Sequence, residues 1–274
     1  MSVGTTYDDA YACALRDNGH VACWGDSGAP SPPRQIFTQV SVGTPADIAG
    51  KISPGNTPVA CGLRPDGGII CWGGSDPAET NVPAGHFVQV DASGLCGLED
   101  GGSVVCWGDN GKPFTMALAG TFTDVSSDCG VRTSGTIMCW RFDNPTEANP
   151  LAGTFTQVSA GFILGPPWAS VCGLTTYGSV TCWRDPGLDD APARTFRQVS
   201  DGGDVACGLL QTGKIACWED EEQNDNQVLT QMPSGRFIQI SVGYDGYACA
   251  LKAGSQAIVC WGEYAFKPPS GAFR

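Results

Sequence analysis

The cysteines constrain the fold of this chain more than any other feature, because all fourteen of them fall into regularly spaced pairs. The second cysteine follows the first by ten positions in six pairs and by eleven in the seventh. The pairs are Cys13 with Cys23, Cys61 with Cys71, Cys96 with Cys106, Cys129 with Cys139, Cys172 with Cys182, Cys207 with Cys217 and Cys249 with Cys260. Self-similarity of this kind is typical of repeat architectures, so the chain contains seven copies of one supersecondary unit.

Each unit carries two further aromatic landmarks. A tryptophan directly follows every second cysteine, at Trp24, Trp72, Trp107, Trp140, Trp183, Trp218 and Trp261. A phenylalanine follows that tryptophan by 12 to 19 residues, at Phe37, Phe87, Phe122, Phe155, Phe196, Phe237 and Phe273. The length variation falls mainly between Trp and Phe or just before the first cysteine, which indicates loops there. The recurring aromatic side chains are expected to fill the wedges between neighbouring units.

Within a unit, the residues from Cys13 to Trp24 predict two short strands around an Asp17-Asn-Gly19 turn. Glycine supplies the positive φ that such hairpin turns require. The landmark Phe usually opens a Phe-x-Gln-Val-Ser strand, as at 37–41, and the segment before the first cysteine adds a further strand. About four strands per unit is the content of a propeller blade. The sequence therefore predicts an all-β fold, a seven-bladed β-propeller with one Cys pair per blade.

The two ends of the chain predict how the ring closes. The last unit stops just after Phe273, where its landmark strand begins. The residues Ser2-Val3-Gly4 match Ser41-Val42-Gly43 and Ser241-Val242-Gly243, which end that strand in other units. The N-terminal strand is therefore expected to join the last blade and leave no open edge. Residues 1–274 are accordingly interpreted as a single propeller domain.

The chemistry of the cysteines bears on the compartment. Two cysteines opposite each other across a tight hairpin are close enough for a disulfide, so seven in-blade disulfides are the simplest interpretation. They would indicate secretion or another oxidising compartment. Seven pairs of buried thiols, acting as small apolar residues, are the alternative. Structural zinc is not favoured, because the pairs are far apart and only His20 and His86 could join them.

Charge excludes some classes of partner. With 15 basic and 28 acidic side chains the formal net charge is −13, which repels a phosphate backbone or an anionic membrane surface. Nucleic acid is therefore not expected as a partner. The sequence has no apolar run of about 18 residues, so membrane insertion is not expected either.

Catalytic motifs are sparse. The chain has only two histidines, so few residues could serve as the base of a Ser-His-Asp or Cys-His arrangement. No catalytic residue is assigned. Paired carboxylates remain open as an acid–base site, since propellers do host such hydrolases. The acidic run from Glu219 to Asn226 is interpreted as a solvated loop, with a weak calcium site as the alternative. No other cofactor or metal is expected.

The candidate ligand-binding residues are aromatic and acidic side chains outside the common pattern. The first and last units enter their first cysteine through similar Tyr-Asp segments, which ring closure would bring together on one face at one seam. Tyrosines beside acids suit a recognition surface, although they could simply cap their blades. Trp168 lies outside the repeat, in a Gly-Pro-Pro-Trp insertion. The candidates are Tyr7, Asp8, Tyr11, Trp168, Tyr244, Asp245 and Tyr247.

The repeat resembles a known superfamily. The pattern Cys-Ala-Leu-x-x-x-Gly-x-Val-x-Cys-Trp-Gly at Cys13–Gly25, with the upstream Phe-x-Gln-Val-Ser-x-Gly, resembles the regulator of chromosome condensation superfamily of seven-bladed propellers. The in-blade Cys pair is more similar to the extracellular domain of crinkly-type plant receptor kinases and to secreted microbial relatives, including propeller-type inhibitors of β-lactamase. The resemblance implies the fold across the whole chain. It leaves function open among nucleotide exchange, chromatin binding, inhibition and receptor recognition.

The sequence is compatible with two functions. The first is a secreted or extracellular binding module that recognises a protein or glycan ligand through loops on one propeller face. The second is an enzyme of specialised metabolism, of cyclase or pericyclase type, acting on an apolar small molecule in the central pocket without a nucleophile or metal. A deep apolar cavity lined by Tyr and Trp would favour the enzyme, and a polar face or sealed channel the binding module.

Overall fold

The computed structural model describes residues 1–5, 10–25, 31–44, 57–108, 116–117, 120–140, 149–151, 153–161, 170–183, 191–219, 227–243, 247–262 and 266–274. These residues form seven antiparallel sheets, the blades, together with two helices of one turn each. The prediction of an all-β fold with seven blades is confirmed. No helix in this part of the chain is long and apolar enough to cross a membrane.

The blades follow one another along the chain and are numbered from the first Cys pair. Blade I comprises β1 (Ser2–Thr5), β2 (Ala10–Leu15) and β3 (Val21–Gly25), blade II β4 (Gln39–Gly43), β5 (Val59–Leu63) and β6 (Ile69–Gly73), and blade III β7 (Phe87–Asp91), β8 (Cys96–Glu99), β9 (Val104–Cys106) and β10 (Met116–Ala117). Blade IV comprises β11 (Phe122–Ser126), β12 (Cys129–Arg132), β13 (Ile137–Cys139) and β14 (Asn149–Leu151), and blade V β15 (Phe155–Gly161), β16 (Ser170–Thr175) and β17 (Val180–Trp183). Blade VI comprises β18 (Phe196–Asp201), β19 (Val205–Leu210) and β20 (Ile215–Glu219), and blade VII β21 (Phe237–Gly243), β22 (Tyr247–Lys252) and β23 (Ile258–Gly262). The helices are α1 (Pro77–Thr80) and α2 (Gln227–Thr230).

Every blade has the same three-strand order. The innermost strand is β1 in blade I and, in the other blades, a strand that begins at the landmark Phe or just after it. The strand of the first cysteine lies in the middle, and the strand of the second cysteine is third. A fourth strand is described only in blades III and IV, where it follows the Trp. The expected strand before the first cysteine is not separate in the described residues, because that segment belongs to the middle strand itself, as in Tyr247–Lys252.

The strand register explains the cysteine spacing, because the two cysteines of each blade lie directly opposite each other. All seven pairs are disulfides, with Cα atoms 4.0–4.1 Å apart, and no cysteine is free. The bridges join Cys13 to Cys23, Cys61 to Cys71, Cys96 to Cys106, Cys129 to Cys139, Cys172 to Cys182, Cys207 to Cys217 and Cys249 to Cys260. The disulfide interpretation is therefore confirmed, and the buried-thiol alternative is not.

The second cysteines differ from blade to blade in how deeply they are buried. Cys71 and Cys182 belong to the buried seam clusters of their blades. Cys217 and Cys260 are only partly buried and pack against the edge of such clusters. Their partners in the middle strands, Cys207 and Cys249, are fully buried. Each disulfide therefore links the interior of a blade to its third strand.

The two chain ends meet in one blade, as predicted, but this is blade I and not the last blade, because the strand that a landmark Phe opens pairs with the next Cys strand along the ring. Strand β1 pairs with β2 so that Ser2 lies opposite Cys13, and Phe273 forms a β-bridge to Arg16 just beyond the other end of β2. The Arg274 backbone N–H also donates to the Leu15 carbonyl oxygen at 3.0 Å. The innermost strand of blade I is thus supplied partly by each end of the chain. This arrangement closes the ring through backbone hydrogen bonds.

The core is divided into seven apolar clusters, one at each seam between blades. At the seam of blades I and II, the disulfide of Cys13 packs with Phe37 and Trp72, whose ring centroids are 5.8 Å apart. The residue after Cys61 is Gly62, because a Cβ atom there would collide with the Phe37 ring. The predicted inter-blade role of the Trp and Phe residues is confirmed.

One face of the ring is formed by the hairpin turns between the two Cys strands, and we call it the turn face. Gly19, with φ of +81°, shows why these turns need glycine. Its carbonyl oxygen accepts the Phe37 backbone N–H of the next blade at 2.8 Å. The same bond recurs from Phe87, Phe122, Phe155, Phe196 and Phe237 to the turn glycine of the preceding blade. These landmark Phe strands therefore all start at the turn face.

Candidate functional site

The innermost strands of all seven blades surround a central cavity of about 380 Å³. Its lining repeats the Gln-Val-Ser part of the landmark strand, with Gln39, Gln157 and Gln198 among the side chains. Among the described residues, no tyrosine, tryptophan or phenylalanine lines this cavity. This polar lining differs from the deep apolar cavity lined by Tyr and Trp that was expected for a cyclase-type enzyme, so the enzyme alternative is not supported.

The glutamines of the inner strands form a hydrogen-bonded ladder around the cavity. The Gln198 amide donates to the Ile240 carbonyl oxygen at 2.8 Å and accepts the Ile240 N–H at 3.1 Å. Gln39 makes the same pair of bonds to Val90, and Gln157 to Val199. Each amide thus satisfies backbone groups on the inner edge of the next blade, which would otherwise face the cavity unpaired.

Serines two positions later extend the ladder. The Ser41 hydroxyl oxygen accepts the Ala92 N–H at 3.0 Å, and Ser200 accepts the Val242 N–H at 2.9 Å. Blade I takes part through Ser2, which accepts the Val42 N–H at 3.1 Å. The ladder ties successive blades together at the cavity wall. The cavity wall is therefore a rigid element of the scaffold.

Blade IV departs from the ladder because Asp124 replaces the glutamine. One carboxylate oxygen of Asp124 accepts from the Gln89 amide at 2.9 Å, and the other accepts the Val158 N–H at 2.8 Å. Burial raises the pKa of Asp124 to about 6, although these hydrogen bonds act in the opposite direction. An ionised carboxylate has no proton to donate, so Asp124 cannot return a bond to the Val158 carbonyl oxygen.

Two more buried carboxyl groups, those of Asp91 and Asp128, lie at the seam of blades III and IV, and the charge of Asp91 acts on both Asp124 and Asp128. Burial raises the pKa of Asp128 to about 7, and the charge of Asp91 acts in the same direction. Burial also raises the pKa of Asp91, which accepts the Gly94 N–H at 2.9 Å. The described residues contain no group of three or more Asp, Glu, His or Cys side chains arranged to hold a metal ion. Of the three carboxyl groups, those of Asp91 and Asp124 line the cavity.

Two of the sequence-predicted ligand-binding residues are buried in the core. The Tyr11 side chain is 1% exposed, and its hydroxyl donates to the Gly43 carbonyl oxygen at 2.8 Å. Tyr247 is 0% exposed and packs edge-on against Phe266, with ring centroids 6.3 Å apart. Burial raises the pKa of Tyr247 to about 12 and that of Tyr11 well above its ordinary value. Both therefore pack as core residues, which favours the blade-capping alternative for them.

The two tyrosines also lie at different seams. Tyr11 belongs to the cluster between blades I and II, whereas Tyr247 belongs to the cluster between blades VII and I. Tyr11 and Tyr247 are therefore not gathered at one seam as expected, although blades VII and I are neighbours as predicted. The physical reason is that each middle strand turns this side chain toward the following blade. The equivalent positions in other blades, Val59 and Val205, are buried in the same way.

The other candidates lie outside the residues that the structure describes. They are Tyr7, Asp8, Trp168, Tyr244 and Asp245. Of the acidic run that was interpreted as a solvated loop, with a weak calcium site as the alternative, Glu219 ends β20 and residues 220–226 are outside the described part. The ligand-binding role of these residues and the calcium site both stay predictions.

Two features of the cavity wall and the turn face were not predicted from the sequence. The Phe-x-Gln-Val-Ser strand was recognised, but its glutamine and serine were given no role. The repetition of Gln and Ser at the same positions in several units was the available signal. A polar residue that recurs beside buried apolar residues needs a hydrogen-bond partner in every unit. Nor was Tyr177 singled out, which is 88% exposed at the tip of a hairpin turn.

Comparison with known proteins supports the fold. No family model and no curated protein matches the chain. Among solved structures, the chain is similar to the crinkly ectodomain of the Arabidopsis thaliana receptor kinase ACR4, with 22% identity and a TM-score of 0.71 over 100% of this chain and 97% of that one. The ectodomain of the Physcomitrella patens receptor kinase CR4 gives 20% identity and 0.64, over 85% and 66% of the two chains. Prp20p of Saccharomyces cerevisiae gives 11% and 0.59, over 94% and 81%.

These likenesses define the class of the protein. The chain has the seven-bladed β-propeller fold that crinkly-type ectodomains and Prp20p share, which confirms the resemblance drawn from the repeat. At these identities the likeness extends to the fold alone. Within that class, this chain is a propeller with one disulfide in every blade and a polar central cavity.

Proposed function

We propose that the protein is a secreted or extracellular binding module that recognises a protein or glycan ligand through one face of the propeller. The observation that carries this proposal is the rigid scaffold, in which seven disulfides and the Gln-Ser ladder fix every blade. Structural disulfides in every repeat suit an oxidising compartment and would not persist in a reducing cytosol. The likeness to two receptor-kinase ectodomains supports the same location.

The polar cavity favours a binding function over an enzyme that catalyses a reaction by fitting the shape of its substrate. Its lining side chains are held by hydrogen bonds to neighbouring blades, so few polar groups are left to orient a small substrate. The loops between strands differ in length from blade to blade while the scaffold stays constant. Such loops on a rigid frame are where binding proteins carry their specificity.

The test is a binding screen of the folded, non-reduced protein on arrays of secreted proteins and of glycans. We expect saturable binding to a small set of ligands, with retention lost when the disulfides are reduced and the fold is disrupted. Absence of any ligand on both arrays, together with turnover of a small apolar compound, would contradict the proposal.

A further inference from the structure

The charges of the described residues are segregated between the two ends of the strands. The turn face carries ten of the eleven described Lys and Arg residues, because each of them flanks a hairpin turn or a landmark Phe. They are Arg16, Arg34, Arg64, Arg132, Arg194, Arg197, Lys214, Arg236, Lys252 and Arg274. Four described carboxylates share this face, those of Asp17, Asp66, Glu99 and Asp100. Ten cations against four carboxylates leave six excess positive charges on a chain whose net charge is −13.

The opposite end of the strands is acidic. Asp91, Asp128, Asp201, Asp204 and Glu219 all lie where an inner strand ends or where a Cys strand begins or ends away from the turns. The eleventh described cation, Lys267, adjoins Phe266, which packs against Tyr247 at that end. Among the described residues, the turn face therefore carries net positive charge although the chain as a whole is negative.

The positive charge of the turn face is concentrated in three adjacent blades. We call this surface the basic sector. It lies on blades VI, VII and I and contains one described carboxylate, that of Asp17. Its cations are Arg16, Arg194, Arg197, Lys214, Arg236, Lys252 and Arg274. Blade III, by contrast, carries Glu99 and Asp100 beside its turn. The positive charge of the turn face is therefore unevenly distributed and is greatest over blades VI, VII and I.

Contacts hold the inner cations in place without cancelling their charge. The Arg197 guanidinium donates to the Phe237 carbonyl oxygen at 2.7 Å, and the Arg274 guanidinium donates to the Phe37 carbonyl oxygen at 2.9 Å. Arg16 lies over the Phe273 ring at 5.2 Å and donates to the Ser270 carbonyl oxygen. These partners are uncharged, so the guanidinium groups stay electrostatically available to an anionic partner.

Exposed apolar side chains accompany the cations. Ile238 is 45% exposed close to the inner cations, and Met232 is 42% exposed in the segment before Phe237. Tyr177, in the turn of blade V, borders the sector, because the Gly178 carbonyl oxygen of that turn accepts the Phe196 N–H of blade VI. Tyrosine and arginine are among the side chains that most often dominate binding energy at protein interfaces. Aliphatic side chains beside them fit a protein partner better than a sugar chain.

We propose that the basic sector is the docking surface for an acidic segment of a protein partner that carries apolar side chains among its carboxylates. This inference rests on the proposed binding function and specifies its face and its class of ligand. Carboxylates of the partner pair with the cations, while its apolar side chains cover Ile238, Met232 and Tyr177. Because complementary charge acts mainly on association, the sector also orients the partner during encounter with a chain that is negative overall.

The test compares two double variants that each lower the net charge by two on the same face. Lys214→Gln with Arg236→Gln removes two exposed cations of the sector, and Thr133→Glu with Ser134→Glu adds two carboxylates to the exposed turn of blade IV. The probes are a short synthetic peptide of Asp, Glu, Leu and Tyr, its counterpart with Lys in place of the acids, and a sulfated oligosaccharide. Association and dissociation rates are measured at low salt and at about 1 M salt, where the Debye length is about 3 Å.

We expect the acidic peptide to bind the wild type, with about tenfold slower association for the variant at Lys214 and Arg236 at low salt and little difference at high salt. The blade IV variant should change association less than about twofold, since its added charges lie outside the sector. The lysine peptide should not bind. Unaltered thermal unfolding of both variants shows that neither change acts through the fold.

Three outcomes overturn the proposal. They are binding of the sulfated oligosaccharide but not of the acidic peptide, an equal loss in both variants, and no binding of either anionic probe. The array screen separates this failure from failure of the binding function. Array ligands that bind the variant at Lys214 and Arg236 as well as the wild type would refute the basic sector and leave the binding module standing.

Discussion

At the scale of single residues, the role of a repeat position becomes visible where one blade carries a different residue type there. Asp124 stands where other inner strands carry a glutamine bonded to the next blade, and it retains the acceptor but loses the donor. Tyr11 and Tyr247 stand where other blades carry Val59 and Val205. A departure from the repeat pattern is therefore not by itself evidence of a binding site, because a tyrosine can also serve as a large core residue.

Asp124 gives a prediction for the pH dependence of stability. Its folded-state pKa of about 6 lies above the ordinary value of 3.8, so the folded protein binds more protons than the unfolded chain between about pH 4 and pH 6. The free energy of unfolding should therefore fall as pH rises through that window. Asp124→Gln should flatten this pH dependence and raise the melting temperature at pH 7 by a few degrees. For a domain of this size, each kcal/mol of added stability shifts the melting temperature by roughly 2–4 °C.

Asp124→Asn is the matched control. It removes the charge, but its side chain is one methylene shorter than that of glutamine and does not restore the pair of hydrogen bonds to the next blade. We expect it to flatten the pH dependence as well, with a smaller gain in melting temperature. Asp128, whose pKa is about 7, should leave a residual slope of the same sign in both variants. A slope unchanged by either substitution, measured by thermal unfolding from about pH 4 to pH 8, would show that Asp124 is not buried and charged as described.

At the scale of the elements, the inner strands and the hairpins have separate tasks. The hairpins carry the disulfides and the turn glycines, whereas the inner strands carry the ladder that joins blade to blade. Gln198 bonds both backbone groups of Ile240 in the next blade. A buried backbone group left without its partner costs about 1–3 kcal/mol, so the ladder decides how firmly neighbouring blades are held.

Gln198→Ala tests this role of the inner strand. We expect the free energy of unfolding to fall by about 1–3 kcal/mol, because the Ile240 N–H and carbonyl oxygen lose their partners. Gln35→Ala, at an exposed position before Phe37, is the control and should stay within about 0.5 kcal/mol of the wild type. Chemical denaturation of both variants provides the measurement. Equal stabilities would mean that water replaces the amide at the cavity wall at no cost.

At the scale of the whole molecule, closure and the seven disulfides determine stability together. Each disulfide packs in a seam against the Phe and Trp of the next blade, so a bridge contributes to two blades at once. The ring also places blades VI, VII and I side by side, which assembles the basic sector from residues far apart in the chain. The basic sector is therefore a property of the closed ring and not of one blade.

The disulfides give a prediction for the intact protein. Mass measurement without reductant should show a deficit of about fourteen hydrogens, two per bridge, and no alkylatable thiol. Reduction should lower the melting temperature substantially, since seven bridges worth even about 1 kcal/mol each would match a net stability of roughly 5–15 kcal/mol. Removing single bridges, for example by Cys96→Ala with Cys106→Ala or by Cys207→Ala with Cys217→Ala, should give losses of similar size. A loss confined to one blade would contradict the equivalence of the repeats.

The sequence by itself determined the fold, the number of blades, the disulfide pairing and the fact that the two ends share a strand, although it assigned that strand to the last blade and not to the first. Local spacing suffices for these, because a ten-residue separation across a glycine turn leaves the two cysteines little choice of partner. It could not place Tyr11 and Tyr247, since both the core and the surface accept a tyrosine and only the direction of the side chain in the seam decides between them. Nor could it find the basic sector in a chain with a net charge of −13. Which charges share a face depends on the ring, in which every hairpin points its turn to the same side and the last blade lies beside the first.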